Sequence, residues 1–207
     1  MAIDGRQSTR LGVFGGTFDP PHIGHLIIAS EIRQALSLDR VLFVPAGRPP
    51  HKTSVAISDD ADRMEMVRLA ITDNPTFEIS SVDIERGGPS FTADLLSILA
   101  HTFPSAALTF LMGEDSLRDL PTWHEPGRIV SLAELGVATR PGVDVNPGGI
   151  YEAVPEARGR VHLVPAPAVG ISSRDLRRRF RSGAPTMYQL PASVERYIQD
   201  RQLYRPR

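Results

Sequence analysis

Apolar residues along this chain come in short blocks set off by glycine and proline. Leu11-Gly-Val-Phe14 runs into Gly15-Gly16 and predicts a buried strand that stops at a glycine turn. From Gly24 to Leu36, apolar side chains at Leu26, Ile27, Ala29, Ile32, Ala35 and Leu36 recur at roughly helical spacing. Val41 to Val44 predicts a second strand, closed by Pro45. Ser58 is placed to cap a helix reaching about Ile71, with Asp59, Asp60 and Asp62 near its positive end. Phe77 to Ile84 alternates like a strand, and Phe91 to Phe103 reads as a helix ended by Pro104. Further strands are expected at Leu108–Met112, Leu135–Thr139 and Val161–Val164. Two helices follow, near Ser172–Arg181 and Ala192–Leu203. The Gly- and Pro-rich stretch from Gly142 to Gly159 predicts a loop with a short helix, and the first ten residues are expected to be flexible. Strands alternating with helices argue for βαβ units and a parallel sheet, and 207 residues suit one domain. In such sheets ligands sit beyond the carboxyl ends of strands. Gly15, Pro45, Gly113 and Arg140 therefore open the segments of interest.

Composition narrows the class. Hydrophobic residues at 41% and charged residues at 23% are a globular balance. The formal net charge of −1 supplies no field for nucleic acid, and no apolar run approaches the ~18–20 residues that span a bilayer. Met1 to Arg10 is polar and lacks the apolar stretch of a signal peptide, so a cytoplasmic location is expected. With no cysteine, disulfides and thiolate metal clusters are excluded. Of the 23 basic residues only Lys52 is a lysine, which marks it for a role that needs a compact ammonium.

Five segments carry candidate chemistry. In Gly15-Gly-Thr-Phe-Asp-Pro-Pro-His22-Ile-Gly-His25, glycines at a strand end let a phosphate approach the backbone, and two histidines three apart share one helix face. Such a pair also suits zinc, but no third ligand follows nearby and no metal site is assigned. Pro45-Ala-Gly-Arg-Pro-Pro-His51-Lys52 is a proline-stiffened loop that offers donors to a triphosphate. Gly87-Gly-Pro-Ser-Phe-Thr92 leads into a helix; Ser90 suits an N-cap, and Thr92 lies beside free backbone donors. Gly113-Glu-Asp115 places a carboxylate after a strand, where ribose hydroxyls are bound in nucleotide folds. Downstream, Trp123 is the one tryptophan, set in a polar loop where its face suits a flat ring. Finally, Gly170-Ile-Ser-Ser-Arg-Asp-Leu-Arg177 places Ser172 or Ser173 at a helix start that favours phosphate, with Arg177 one turn inside.

His-Ile-Gly-His after Gly-Gly-Thr-Phe-Asp-Pro resembles the signature of the HxGH nucleotidyltransferase superfamily. The five segments, in this order from Leu11 to about Tyr204, resemble the bacterial nicotinate-nucleotide adenylyltransferases. That resemblance implies an α/β fold, a single Rossmann-like doubly wound parallel sheet with C-terminal helices. It implies transfer of the adenylyl group of ATP to nicotinate mononucleotide, giving deamido-NAD and pyrophosphate, with Mg²⁺ carried on the nucleotide and held mostly by substrate oxygens and water. His22, His25, Lys52 and Arg177 are then the catalytic residues, supplying positive donors. Gly15, Gly24, Gly113, Asp115, Ile171, Ser172 and Ser173 fall to ATP. Gly16, Thr17, Phe18, His51, Thr92, Trp123 and Arg140 fall to the mononucleotide. Phe91 stands where the family usually has tyrosine, and Arg174 where threonine is common. Neither nucleic acid nor membrane is an expected partner, and a homo-oligomer is left open. Nearby alternatives are a nicotinamide-mononucleotide or phosphopantetheine adenylyltransferase, or a cytidylyltransferase of the same superfamily. From another class, the chain could be a nucleotide-binding regulator without catalysis.

Overall fold

A computed structural model of the chain describes residues 9–48, 57–140 and 146–205. Six strands form one all-parallel sheet. In chain order the elements are β1 (Arg10–Gly16), α1 (Ile23–Ala35), β2 (Arg40–Pro45), α2 (Asp60–Ile71), β3 (Phe77–Ile79), α3 (Val82–Glu85), α4 (Thr92–Thr102), β4 (Ala107–Gly113), α5 (Glu114–Asp119), α6 (Pro126–Leu132), β5 (Glu134–Thr139), α7 (Gly148–Ala153), β6 (Val161–Pro165), α8 (Ser173–Ser182) and α9 (Ala192–Asp200). Short 3₁₀ turns at Leu120–Thr122 and Pro155–Ala157 complete them.

Strand order is β3-β2-β1-β4-β5-β6. The order reverses between β1 and β4, which is where a doubly wound sheet opens a crevice. The register shows the opening. β1 stays paired with β2 as far as Gly16 with Pro45, but its pairing with β4 runs only from Arg10 with Ala107 to Val13 with Phe110. Beyond that point the two carboxyl ends part.

Alternation along the strands sends side chains to opposite faces. Leu11 and Val13 of β1 join Leu96, Leu99 and Ile129 from α4 and α6 in one buried cluster. Phe14 faces the other way and packs with Phe43, Ile32 of α1 and Val67 of α2. At Gly136 of β5 an added Cβ would lie 2.6 Å from Ile32 Cγ2, so glycine is what lets α1 seat this closely on the sheet. A third cluster, Met66, Leu176, Leu190, Val194 and Ile198, fastens α8 and α9 onto α2.

Two elements differ from the sequence reading. The strand expected over Phe77–Ile84 stops at Ile79, and α3 takes over at Val82. Ser80 Oγ accepts the Val82 N–H (3.3 Å), and the Ser81 carbonyl accepts N–H bonds from Ile84 and Glu85. This pair of serines turns the chain before the alternation can continue. The last helix stops at Asp200, three residues before the expected Leu203.

Candidate active site

The chain leaves β1 through a loop, Thr17 to His22, that the rest of the site is built around. Phe18 has a left-handed backbone (φ 48°), and its buried ring packs edge-on to Phe14 (5.6 Å) and His25 (5.1 Å). This residue, expected at the mononucleotide, anchors the loop in the core and lines neither cleft described below. The Asp19–Pro20 peptide bond is cis.

His22 and His25 come together as the motif spacing implied. Their rings stack with centroids 3.7 Å apart, and the His22 backbone N–H donates to His25 Nδ1 (3.1 Å). His22 is buried, and desolvation lowers its pKa from 6.5 to about 4. The expected positive donor is therefore a neutral imidazole at pH 7. A Cβ at Gly24 would stand 3.1 Å from His22 Nδ1, so the imidazole lies across a position that has room only for hydrogen.

Two clefts flank this loop. The larger, about 660 Å³, is lined by Gly15, Gly16 and Thr17 at the end of β1 and by Val44 and Ala46 at the end of β2. Asp83, Ser90, Phe91, Thr92, Trp123, His124 and Glu125 complete its lining. Trp123 is held edge-on to Phe110 (6.1 Å), and Phe91 lies 4.3 Å from the His124 ring at a 32° tilt. The packing face of Phe91 is thus in use without a tyrosine hydroxyl. The cap of α4 is Phe91, not the expected Ser90. Ser90 Oγ instead accepts the Arg48 N–H (2.9 Å), and the Ser90 N–H donates to the Arg48 carbonyl, which ties the two loops together.

The smaller cleft, about 170 Å³, is lined by His22 and Gly24, by Gly113, Glu114 and Asp115 after β4, and by Ile171 before α8. Four of the residues expected at ATP meet here: Gly24, Gly113, Asp115 and Ile171. Gly15 lines the larger cavity instead. Arg140, expected at the mononucleotide, lines the smaller cleft. It reaches Asp115 Oδ2 at 3.5 Å, and its backbone N–H donates to Glu114 Oε2 (3.3 Å). Arg118 donates to the other Asp115 oxygen (3.0 Å).

Helix α8 docks on the loop from outside. Ser172 caps it by accepting the Asp175 N–H (3.2 Å), while Ser173 Oγ donates to the Pro20 carbonyl (2.8 Å). Arg177 Nη1 donates to the Asp19 carbonyl (2.5 Å) and lies 3.8 Å from Asp19 Oδ2. Ser172, Ser173 and Arg177 therefore hold the loop and the helix start, and none of the three lines either cleft. His51 and Lys52 lie outside the described residues.

The sequence reading missed Asp83. It is buried, accepts the Gly47 N–H (3.0 Å) and the Arg86 Nε–H (2.7 Å), and so fixes the loop after β2 against the larger cavity. An acidic residue on the apolar register of a segment read as an alternating strand, in step with Phe77 and Ile79, was the available signal. Arg63 gave no comparable signal. Its fully buried guanidinium donates to the carbonyls of Thr17 (3.0 Å) and Ser58 (3.2 Å) from the far side of the loop.

Comparison with known proteins agrees with this geometry. Residues 13–179 match the family model described as cytidylyltransferase-like. The chain is similar to the probable nicotinate-nucleotide adenylyltransferase of Thermomicrobium roseum, 54% identical over 95% of this chain and 92% of that one. It is 45% identical to the protein of the same name from Roseiflexus sp., over 96% and 100% of the two chains. Its fold is similar to that of the Plasmodium falciparum nicotinic acid mononucleotide adenylyltransferase complexed with NaAD. There the TM-score is 0.76 at 19% identity, covering 95% of this chain and 97% of that one.

Proposed function

The chain belongs to the cytidylyltransferase-like family and, within it, to the nicotinate-nucleotide adenylyltransferases, and from that premise we propose that it makes deamido-NAD and pyrophosphate from ATP and nicotinate mononucleotide. The reaction is a step of NAD biosynthesis. The observation that carries this reading is the pair of unlike clefts on either side of one histidine-bearing loop.

In our reading the pyridine ring enters the larger cavity and lies against Trp123. The adenosine enters the smaller cleft, with its base over Gly24 and its ribose hydroxyls on Asp115. An oxygen of the mononucleotide phosphate attacks the α-phosphorus in line, and pyrophosphate leaves with the P–O bond electrons. That oxygen is already anionic, so the reaction needs neither a strong base nor a protein nucleophile. Catalysis is then positioning together with stabilisation of charge on the phosphoryl oxygens. His22 and His25 would donate there as neutral or newly charged imidazoles, joined by Lys52 and by Arg177.

Among the described residues no group of three or more carboxylates, histidines or cysteines converges to hold a metal ion. The donor set suits a nucleotide that enters as its Mg²⁺ complex, the ion held by phosphate oxygens and water. Among the described residues no helix is long and apolar enough to cross a membrane. We assign the reaction to the cytoplasm, where ATP is available.

Pyrophosphate release is the test, with MgATP and nicotinate mononucleotide, nicotinamide mononucleotide or phosphopantetheine in parallel. Fast release with the nicotinate compound alone is expected. Equal rates with both pyridine nucleotides would remove the acid preference. ATP binding with no turnover on any of the three would point to a regulator.

A further inference from the structure

Behind the loop that carries His22, away from both clefts, several groups converge on Asp19, whose exposure is 1%. Tyr204 Oη donates to Oδ1 (2.6 Å), and the Ser58 N–H donates to Oδ2 (3.3 Å). Arg177 bonds the Asp19 carbonyl and forms an ion pair with Oδ2 at 3.8 Å, beyond hydrogen-bond distance. Tyr204 comes from the segment after α9, which bends so that Gln202 (φ 53°) and Tyr204 (φ 65°) both take left-handed backbones. Side chains other than glycine seldom adopt that conformation, and here it serves to turn the hydroxyl inward. The same hydroxyl sits 3.7 Å from Met66 Sδ of α2, and the ring lies 5.9 Å from the Phe180 ring of α8. Burial, then the negative charge of Asp19, raise the hydroxyl's pKa, so it remains a donor across the working pH range.

We propose that Tyr204 is a positioning residue for adenylyl transfer. By occupying Asp19 Oδ1 it keeps that carboxylate from drawing Arg177 out of its 3.8 Å ion pair into a direct hydrogen bond, and so holds the guanidinium and the loop bearing His22 in place for ATP. The assignment deepens the adenylyl-transfer reading and rests on it. The physical reason is competition for one buried carboxylate. Without the hydroxyl, Oδ1 has lost its donor where water does not reach, and a buried acceptor seeks another. Arg177 is the cation within reach. Drawn onto Oδ1 or Oδ2, its guanidinium leaves the carbonyl that now orients it, and the loop loses a fixed point. Misplacing a group that acts on the transition state costs rate more than ground-state binding.

Tyr204→Phe removes the hydroxyl and keeps the ring. The expected result is about a tenfold fall in kcat with KM for the mononucleotide unchanged. Leu203→Ala is the control for simple loosening, because Leu203 packs against the α2–α8–α9 cluster and makes none of these bonds. It is expected to lower Tm at least as much and to leave kcat alone. If kcat follows Tm across both variants, Tyr204 is only a staple and the proposal falls. Combined with Arg177→Lys, Tyr204→Phe should add little further loss; multiplying losses would also overturn it. A readout that needs no turnover is the titration of the His22 imidazole by NMR, expected near 4 in the native chain. In Tyr204→Phe the midpoint should move up toward the ordinary 6.5, and an unmoved midpoint would count against the role. If the native chain gave no pyrophosphate with nicotinate mononucleotide, the substrate reading would fail by itself. The imidazole titration would then decide the claim about Tyr204.

Discussion

The larger cavity sets rings and branched side chains (Phe91, Leu95, Phe110, Trp123, Ile129), all from positions 91 to 129, beside two carboxylates, Asp83 and Glu125. Glycine, alanine and proline make up much of the smaller cleft, which carries its charged groups, Glu114, Asp115 and Arg140, along one side. Apolar walls reward a flat ring by area and shape, with little to say about charge. A cleft floored by backbone lets a ligand come close enough for short polar contacts, and there charge can be handled. On the proposed reading one site is divided into a part that grips and a part that reacts, with His22 lining the smaller cleft. Substitutions on the two sides should split between KM and kcat.

The largest effect tests the reacting side. On the proposed reading His22→Ala removes a donor at the phosphates, and loss of one such donor costs about 10²–10³ in kcat. Steady-state kinetics with both substrates saturating would show it, and an unchanged kcat would mean that the stacked pair serves only structure. The same residue makes a separate prediction about stability. Its folded pKa of about 4 lies below the ordinary 6.5, so between these pH values the unfolded chain binds more protons. Its contribution is fully present above pH 6.5 and is lost as pH falls toward 4. The loss amounts to up to ~3 kcal/mol over that window. Urea unfolding of the native chain and of His22→Asn at pH 7 and pH 4.5 isolates the term. The native chain should lose more stability than the variant.

The two sides also differ in how much of them could be read from the sequence. His22, Gly24, Gly113, Asp115 and Ile171 come from compact motifs next to strand ends, and a strand end is where a parallel sheet presents its ligand residues. Strand–helix alternation was enough to find those ends, because two-sided burial gives each strand a continuous apolar run. The larger cavity takes Gly15, Gly16, Thr17, Thr92 and Trp123 from the same motifs, and the rest of its lining shows its role only after folding. Phe110 and Ile129 look like any core positions, and Asp83 sat in a segment whose alternation hid a turn at Ser80 and Ser81. Ser173 and Arg177 fell in a recognisable motif, yet their contacts run to Pro20 and Asp19, more than 150 positions away in the chain. No local pattern encodes a partner at that distance.

On the gripping side, Trp123→Ala removes the proposed stacking face. Stacking of a base on an aromatic ring is worth about 1–3 kcal/mol, so KM for the mononucleotide should rise roughly tenfold to a hundredfold. KM for ATP should hold. Because Trp123 also rests against Phe110, a modest fall in Tm is expected as well. A rise in KM for ATP instead would place the ring on the wrong side of the boundary.

Arg140 offers the smallest and sharpest test, because its motif and its position assign it differently. The family resemblance puts it at the phosphate of the mononucleotide, whereas in the structure it lines the smaller cleft beside Asp115. On the proposed reading in-line transfer resolves the difference, since the mononucleotide phosphate must come up to the α-phosphorus of the ATP in the smaller cleft. Arg140 is 62% exposed, so its hold on Asp115 is screened and worth no more than about 1 kcal/mol. On the proposed reading an incoming ribose can displace it cheaply, which frees the guanidinium for the phosphate side. Arg140→Ala should therefore raise KM for the mononucleotide about fivefold, an effect that shrinks with added salt. KM for ATP should stay level or fall slightly, because Asp115 no longer has to be released. If KM for ATP rises and that for the mononucleotide does not, Arg140 belongs wholly to the smaller cleft, and the reacting side carries one more charged group than the motif implies.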